Sequence, residues 1–416
     1  MAFLAKLIPS IEPYSRDRKK KRLRRIQEPA TQAPGMEKLE RLEDYLEDRD
    51  LDSIWFARPN SFAWLTGGSN VVDRSADAGV AAIGYDGDEL TLLADNIEAD
   101  RILTEECPDL EQTPEIERFP WYETDLADAL AEYAGENAAA DIDLPWFERV
   151  DSSALRQPLT EQDRERYRDL GAETAAAVES VCHELQSEDT EHEVASALRV
   201  ALSAREIEAP VVLVGGSERA PTYRHYTPKR EQLGDYALVS VTAERDGLHA
   251  SCTRTVAFDP PEWLEGRHEA ATRVETTALA ATRECATSSV YSVETDSSET
   301  KTSAAAGAAG DVFEAIQHAY DAVGWDGEWQ NHHQGGAAGF AGREWIATPD
   351  LEAAVRTPMA YAWNPTVQGA KSEGTVLVTD DGFEPLTTTG QWPTVTARAV
   401  DRDLELERPG ILGIHD

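Results

Sequence analysis

The sequence predicts a small α/β domain followed by a larger α+β domain. Two observations predict this. Helical and strand patterns alternate, one element at a time, from Met36 to about residue 152. Long helical stretches followed by hairpin-like strand runs then occur twice between residues 153 and 400, which suggests two related halves. Residues 1–35 read as a disordered basic extension, and residues 401–416 as a tail.

The extension carries R-D-R-K-K-K-R-L-R-R at residues 16–25, against the grain of the rest of the chain. It has no apolar core or cleavage site of a secretory signal. From Met36, M-E-K-L-E-R-L-E-D-Y-L places Leu39, Leu42 and Tyr45 or Leu46 on one helix face. Strand signals follow at Asp52 to Ala57, Val80 to Ile83 and Leu90 to Leu93, and a helix is expected over Asp125 to Tyr133.

The second domain opens with a long helix expected over Thr160 to Leu185, Thr160 being a plausible cap. A helix over Glu191 to Ala204 comes next, then strands at Pro210 to Val214, Tyr236 to Thr242 and Thr253 to Phe258. The pattern starts again with a helix over Glu262 to Thr282. A Ser/Ala-rich loop from Ser288 to Gly310 leads to a helix over Val312 to Ala322, and strands are expected at Ala360 to Trp363 and Thr375 to Val378.

Composition narrows the function. The formal net charge is −39, from 78 acidic and 39 basic residues, and after Lys38 only Lys229, Lys301 and Lys371 are lysines. The acids are spread between apolar segments, so they do not mark a disordered acidic tail. An acidic, lysine-poor surface suits a protein working in a salt-rich cytosol, where self-repulsion is screened. Nucleic acid is not an expected partner, since no basic face could neutralise phosphates. No apolar run approaches the roughly 18 residues of a membrane span. Cys107, Cys182, Cys252 and Cys285 are far apart in sequence and lack metal or redox spacing, so reduced thiols are expected.

Several sequence blocks stand in a recognisable order. They are Pro59-Asn-Ser-Phe-Ala-Trp-Leu-Thr-Gly67, Arg224-His-Tyr-Thr-Pro228 with Leu233-Gly-Asp235, Asp246-Gly-Leu-His-Ala-Ser251 with Thr253-Arg-Thr255, and Glu373-Gly-Thr-Val-Leu-Val378. Together they resemble the pita-bread superfamily of aminopeptidase P, prolidase, methionine aminopeptidase and creatinase, over about residues 40–395. The resemblance implies a pita-bread domain at 153–400 behind a creatinase/prolidase-like domain at 36–152, in which Pro59 to Gly67 would be a strand and turn. It also implies a possible homodimer.

Peptidases of that superfamily hold two divalent ions with two aspartates, a histidine and two glutamates. Aligned here, those positions fall on Ser240, Ser251, Gly336, Asn364 and Glu373. One glutamate, two hydroxyls and an amide offer a single formal charge to offset two cations, and glycine offers no side-chain ligand. No cofactor is therefore expected, and a divalent metal is the less favoured alternative. His225 and His332 match pocket positions and are the candidates for acid–base work. Arg343 stands at a second family histidine and could clamp a carboxylate or carbonyl, or pair with Glu344 or Glu373. With His333, Glu344, Asn364 and Glu373 it completes the expected substrate-binding set. Lys371, so rare a residue here, could neutralise Glu373.

Three functions remain open. One is a metal-independent hydrolase of a small C–N-bonded substrate, in the manner of creatinase. Another is a non-catalytic relative that binds a small molecule, a short peptide or a protein. The last is a degenerate but active metallo-aminopeptidase.

Overall fold

The computed structural model describes residues 36–107, 110, 112–288 and 307–414. The expected extension at 1–35 and most of the expected loop at 288–310 lie outside the described residues. The described residues divide into two units, residues 36–162 and 163–414.

In the first unit, helix α1 (Met36–Arg49) buries Leu42 and Leu46. The strands that follow are β1 (Ser53–Phe56), β2 (Ala81–Tyr85), β3 (Leu90–Asp95), β4 (Glu115–Phe119), β5 (Ala138–Ala140) and β6 (Glu148–Arg149). They form one mixed sheet in the order β4-β3-β2-β1-β5-β6. Trp55, Leu93, Phe119 and Leu130 pack on one face of it. Residues Pro59–Thr66 form helix α2, not the strand and turn expected. The local chemistry explains this. Extended Arg58 is followed by proline in the first turn, and Gly67 ends the helix in the left-handed region at φ 78°. Helix α3 (Leu126–Ala134) is capped by Asp125, whose carboxylate accepts from the Asp128 amide.

The second unit starts with the long helix α4 (Glu161–Cys182) and helix α5 (Glu191–Ser203), whose Thr190 and Glu193 close a capping box. Strands β7 (Glu208–Gly216), β8 (Tyr236–Arg245) and β9 (Leu248–Ala257) then form an antiparallel meander. Strand β9 begins five residues earlier than expected. Asp246 and Gly247 both take positive φ (52° and 79°), the conformation of a tight hairpin turn, so pairing resumes at Leu248.

The second half repeats the pattern with helices α6 (Leu264–Ser288) and α7 (Ala309–Ala322), then strands β10 (Gly335–Ala338), β11 (Met359–Trp363), β12 (Thr366–Val367), β13 (Ala370–Lys371), β14 (Val376–Thr379) and β15 (Gly382–Pro385). Strands β10, β11, β14 and β15 pair in that order, and β12 pairs with β13. Strand β16 (Thr394–Arg398) pairs with β17 (Glu405–Pro409), and β18 (Ile411–Gly413) pairs in parallel with β9. The segment expected as a tail is thus sheet, and it closes the edge of the first meander. Among the described residues no helix is long and apolar enough to cross a membrane.

One buried ion pair ties this tail to the loop between β13 and β14. Arg408 of β17 and Glu275 of α6 are 2% and 0% exposed and bonded through both guanidinium Nε (2.9 Å) and Nη2. Burial pushes the Glu275 carboxyl up, and Arg408 works against that. Glu275 also accepts from Ser372 Oγ and from the Gly374 amide at 3.2 Å, on either side of residue 373. Arg408→Met should therefore leave a buried unpaired carboxylate and cost roughly 3–5 kcal/mol. Urea unfolding at constant salt measures it.

Candidate functional site

The meander sets out the site through its register. Ser240 of β8 pairs with Thr253 of β9, and Thr242 pairs with Ser251. Directly opposed residues share a face, and so do residues two apart, so all four hydroxyls project to one side. Cys252, between them, points the other way into the core and is 0% exposed. The loop carrying Glu373 runs beside β9. Thr253 N donates to Glu373 O at 3.0 Å, and Ser251 N donates to Thr375 Oγ1 at 2.8 Å.

Glu373 is 5% exposed and has three side-chain donors. Lys371 Nζ donates to Oε2 at 2.8 Å, Arg343 Nη2 to Oε1 at 3.0 Å, and Thr253 Oγ1 to Oε2 at 2.7 Å. Burial alone would raise its pKa. Lys371 and Arg343 override that and hold it down to about 2.

An ionised carboxylate only accepts, and this fixes the direction of the hydroxyl chain. Thr253 gives its proton to Glu373, so it accepts from Ser240 Oγ at 2.7 Å. Ser240 in turn accepts from Tyr226 OH at 3.1 Å. Ser251 Oγ accepts from Arg343 Nη1 at 3.1 Å and shares a hydrogen bond with Thr242 Oγ1 at 2.9 Å. Hydroxyls polarised in line strengthen one another.

The two other aligned positions lie on the second half. Asn364 lies just before β12, its backbone N–H donating to Gln334 O at 3.0 Å. Asn364 is 3% exposed, and its Oδ1 has no partner among the described residues. Gly336 lies in β10, against Ala362 of β11. A Cβ built on Gly336 would stand 2.1 Å from Trp345 O and 2.8 Å from its ring. Trp345 therefore fills the space a side chain at 336 would need.

Three imidazoles cluster at the same site. Ligand atoms of His225, His332 and His333 all lie within 4.8 Å of one another. The Nε2 atoms of His225 and His332 are 3.3 Å apart, and the rings of His332 and His333 stack at 4.4 Å. Gln334 holds the turn: its Nε2 donates to His332 O at 2.6 Å, and its Oε1 accepts from Tyr320 OH at 2.9 Å. Burial, then Lys371, drives the His332 pKa down to about 2. Burial, then Arg343, drives His333 to about 4. His225, the exposed member, is lowered by burial and by Lys371. The Nδ1 atoms of His332 and His333 are buried without partners among the described residues.

Of the residues expected from sequence, His225, His332, His333, Arg343 and Glu373 are thus drawn into one interacting group. Ser240 and Ser251 join it through hydroxyl bonds. Glu344 turns its Oε1 to the Phe340 amide at 2.8 Å, within its own turn. Sequence reading missed Thr253, Thr242, Tyr226 and Trp345 as parts of the site. The period of two along β9 could have found Thr253, whereas Trp345 had no local signal.

Neutral buried imidazoles tie stability to pH. The unfolded chain binds a proton at His332 near pH 6.5, but the folded chain does so only near pH 2. The unfolded state therefore binds more protons over this window, and stability falls as pH falls below 6.5. Between pH 6.5 and 4 the loss should be on the order of 2–3 kcal/mol for this one group. His332→Gln should flatten that slope in denaturant titrations across the window.

Comparisons with known proteins agree with this architecture. The family profile described as Metallopeptidase family M24 matches residues 165–380, and that described as Creatinase/Prolidase N-terminal domain matches residues 38–148. No curated protein matches the sequence. Among solved structures, prolidase from Pyrococcus furiosus is similar at TM-score 0.65 and 17% identity, covering 84% of this chain and 100% of that one. Dipeptidase PepE from Mycobacterium ulcerans is similar at TM-score 0.67 and 16% identity, covering 93% and 100%. The N-terminal domain of FACT complex subunit SPT16 from chickpea (Cicer arietinum) is similar at TM-score 0.60 and 13% identity, covering 86% and 97%. Identities this low establish the fold, which is pita-bread behind a creatinase-like domain, and not the activity. The family match spans just over half the sequence, and the chain belongs to metallopeptidase family M24.

Proposed function

We propose that this peptidase-like protein works without metal ions, as a hydrolase of a small C–N-bonded substrate. The observation that carries the reading is the charge around Glu373. Its carboxylate is the one acidic side chain left at the aligned ligand positions, and Lys371 and Arg343 already neutralise it. A divalent ion would have to displace an ammonium and a guanidinium from a buried carboxylate, with hydroxyls and an amide as its other ligands. Gly336→His would not restore the missing imidazole, because the space is held by Trp345. The three-histidine cluster is a poor substitute, since the positive field of Lys371 that repels a proton from His332 also repels a dication.

In this reading His225 is the base. It is the exposed ring of the cluster, and its Nε2 faces that of His332. A water proton passes to His225 as the water oxygen attacks the C–N carbon, and the imidazolium returns the proton to the leaving nitrogen. Arg343 and Lys371 offset negative charge that develops on the substrate. A second reading, binding without turnover, is favoured by one observation. The basicity of His332 is driven to about 2, far from that of a working base at neutral pH.

Elemental analysis after incubation with manganese, cobalt or zinc should find no stoichiometric metal, and Xaa-Pro dipeptides should stay intact. Stoichiometric metal with dipeptide cleavage would establish the two-metal aminopeptidase instead. Across a panel of small amides, ureas and guanidines we expect turnover that His225→Ala lowers by about 10²–10⁴-fold. Binding with no turnover on the whole panel selects the non-catalytic reading.

We also infer a salt-rich cytosol as the working environment, from the net charge of −39 and the scarcity of lysine. Screening then offsets the self-repulsion of the folded chain. The midpoint of thermal unfolding should climb steadily as KCl is raised from millimolar to molar concentrations. A midpoint independent of salt would contradict this.

A further inference from the structure

We propose that Glu328 is the positioning residue of the imidazole cluster, holding the loop that carries His225 against the turn that carries His332 and the hairpin that carries Lys371. The inference rests on the reading of His225 as the base and names the residue that sets it in place.

His225 lies in the long connection between β7 and β8, and its ring meets His332 of the second half. The base of that connection is closed by Glu191 of α5, which is 0% exposed. Its Oε1 accepts from the Gly216 amide at 2.9 Å, and its Oε2 accepts from the Lys229 amide at 2.9 Å and from Arg219 Nη1. Just past His225, Tyr226 OH donates to Ser240 Oγ on β8. All of these bonds tie the connection to its own half of the fold. They do not fix where His225 stands relative to His332.

Glu328 supplies that link. It opens a short 3₁₀ helix (Glu328–Asn331) that ends at His332, and its side chain is only 11% exposed. Oε1 accepts from Nη2 of Arg224, the residue before His225, and from the Gln368 amide at 3.0 Å. Gln368 sits in the turn between β12 and β13, three residues before Lys371. Oε2 accepts from Nδ2 of Asn331, the residue before His332, at 3.0 Å. One carboxylate thus takes a donor beside His225, a donor beside His332 and a donor on the Lys371 hairpin. A charge-assisted bond shielded from water sets direction as well as distance. Proton transfer depends on both, and a displacement of about 1 Å can cost roughly 10²-fold in rate.

The test is a pH titration of the His225 ring nitrogens by NMR, on the full chain in molar KCl, for the parent, Glu328→Ala and Glu328→Gln. His225 faces the rings of His332 and His333, with Arg224 next to it in the chain. Burial and Lys371 lower its pKa, and Glu373 works against them, so the parent should titrate below 6.5. Loss of a carboxylate acting through its field alone would lower a nearby imidazole further. Loss of placement acts the other way, because a ring that leaves Lys371 for water moves back toward 6.5. We expect a rise in both variants, smaller in Glu328→Gln, which keeps an acceptor for the Gln368 amide. A midpoint unchanged or lowered in folded Glu328→Gln overturns the inference, and that variant decides the matter if Glu328→Ala does not fold. On any substrate the parent turns over, kcat should fall by roughly 10²-fold with KM little changed. A parent that turns over nothing defeats the hydrolase reading, whereas the titration still decides the role of Glu328.

Discussion

The buried carboxylate of Glu373 has to be countercharged, and the rest of the site follows from how that is done. Burying a lone carboxylate would cost several kcal/mol even after relaxation. In this chain an ammonium and a guanidinium meet it from two directions, and a threonine hydroxyl completes its donors. Lys371 reaches it from the adjoining hairpin, and Arg343 from the turn after β10. The backbone on either side is clamped by Glu275, itself matched by Arg408. Two ion networks thus grip one short loop from opposite sides. The charge that holds the loop is also the charge that sets the potential in the pocket.

That potential explains why small neutral side chains occupy the positions aligned with metal ligands. Ser240 and Ser251 do not collapse the meander or leave holes. They pass hydrogen bonds along it, Ser240 toward Glu373 and Ser251 between Arg343 and Thr242. At Gly336 the change is steric as well as chemical, because Trp345 packs where a side chain would stand.

Much of this was legible in the sequence because it is local. The order of helices and strands in both halves follows from hydrophobic period. Asp246-Gly247 is a local signal of a tight turn, and the turn starts β9 at Leu248. The rarity of lysine made Lys371 visible before any contact was known. The errors have two physical causes, one local and one not. Pro59 to Gly67 is apolar enough for a strand, and only its end residues, Pro59 and Gly67, speak for a helix. Residues beyond 400 look like a polar tail because β17 and β18 draw their stability from strands far away in sequence. Trp345 and the direction of the hydroxyl chain are likewise non-local, since both depend on what packs or ionises across the fold.

The imidazoles bring these threads together. Here burial and Lys371 lower the basicity of all three rings, and Arg343 adds to this at His333. The weak basicity of the imidazoles and the countercharging of Glu373 are therefore two results of one charge arrangement. Among the three rings His225 is exposed, His333 half-buried and His332 buried, so desolvation weighs least at His225. His225 thus stands at the open edge of the cluster, and His332 forms its buried wall.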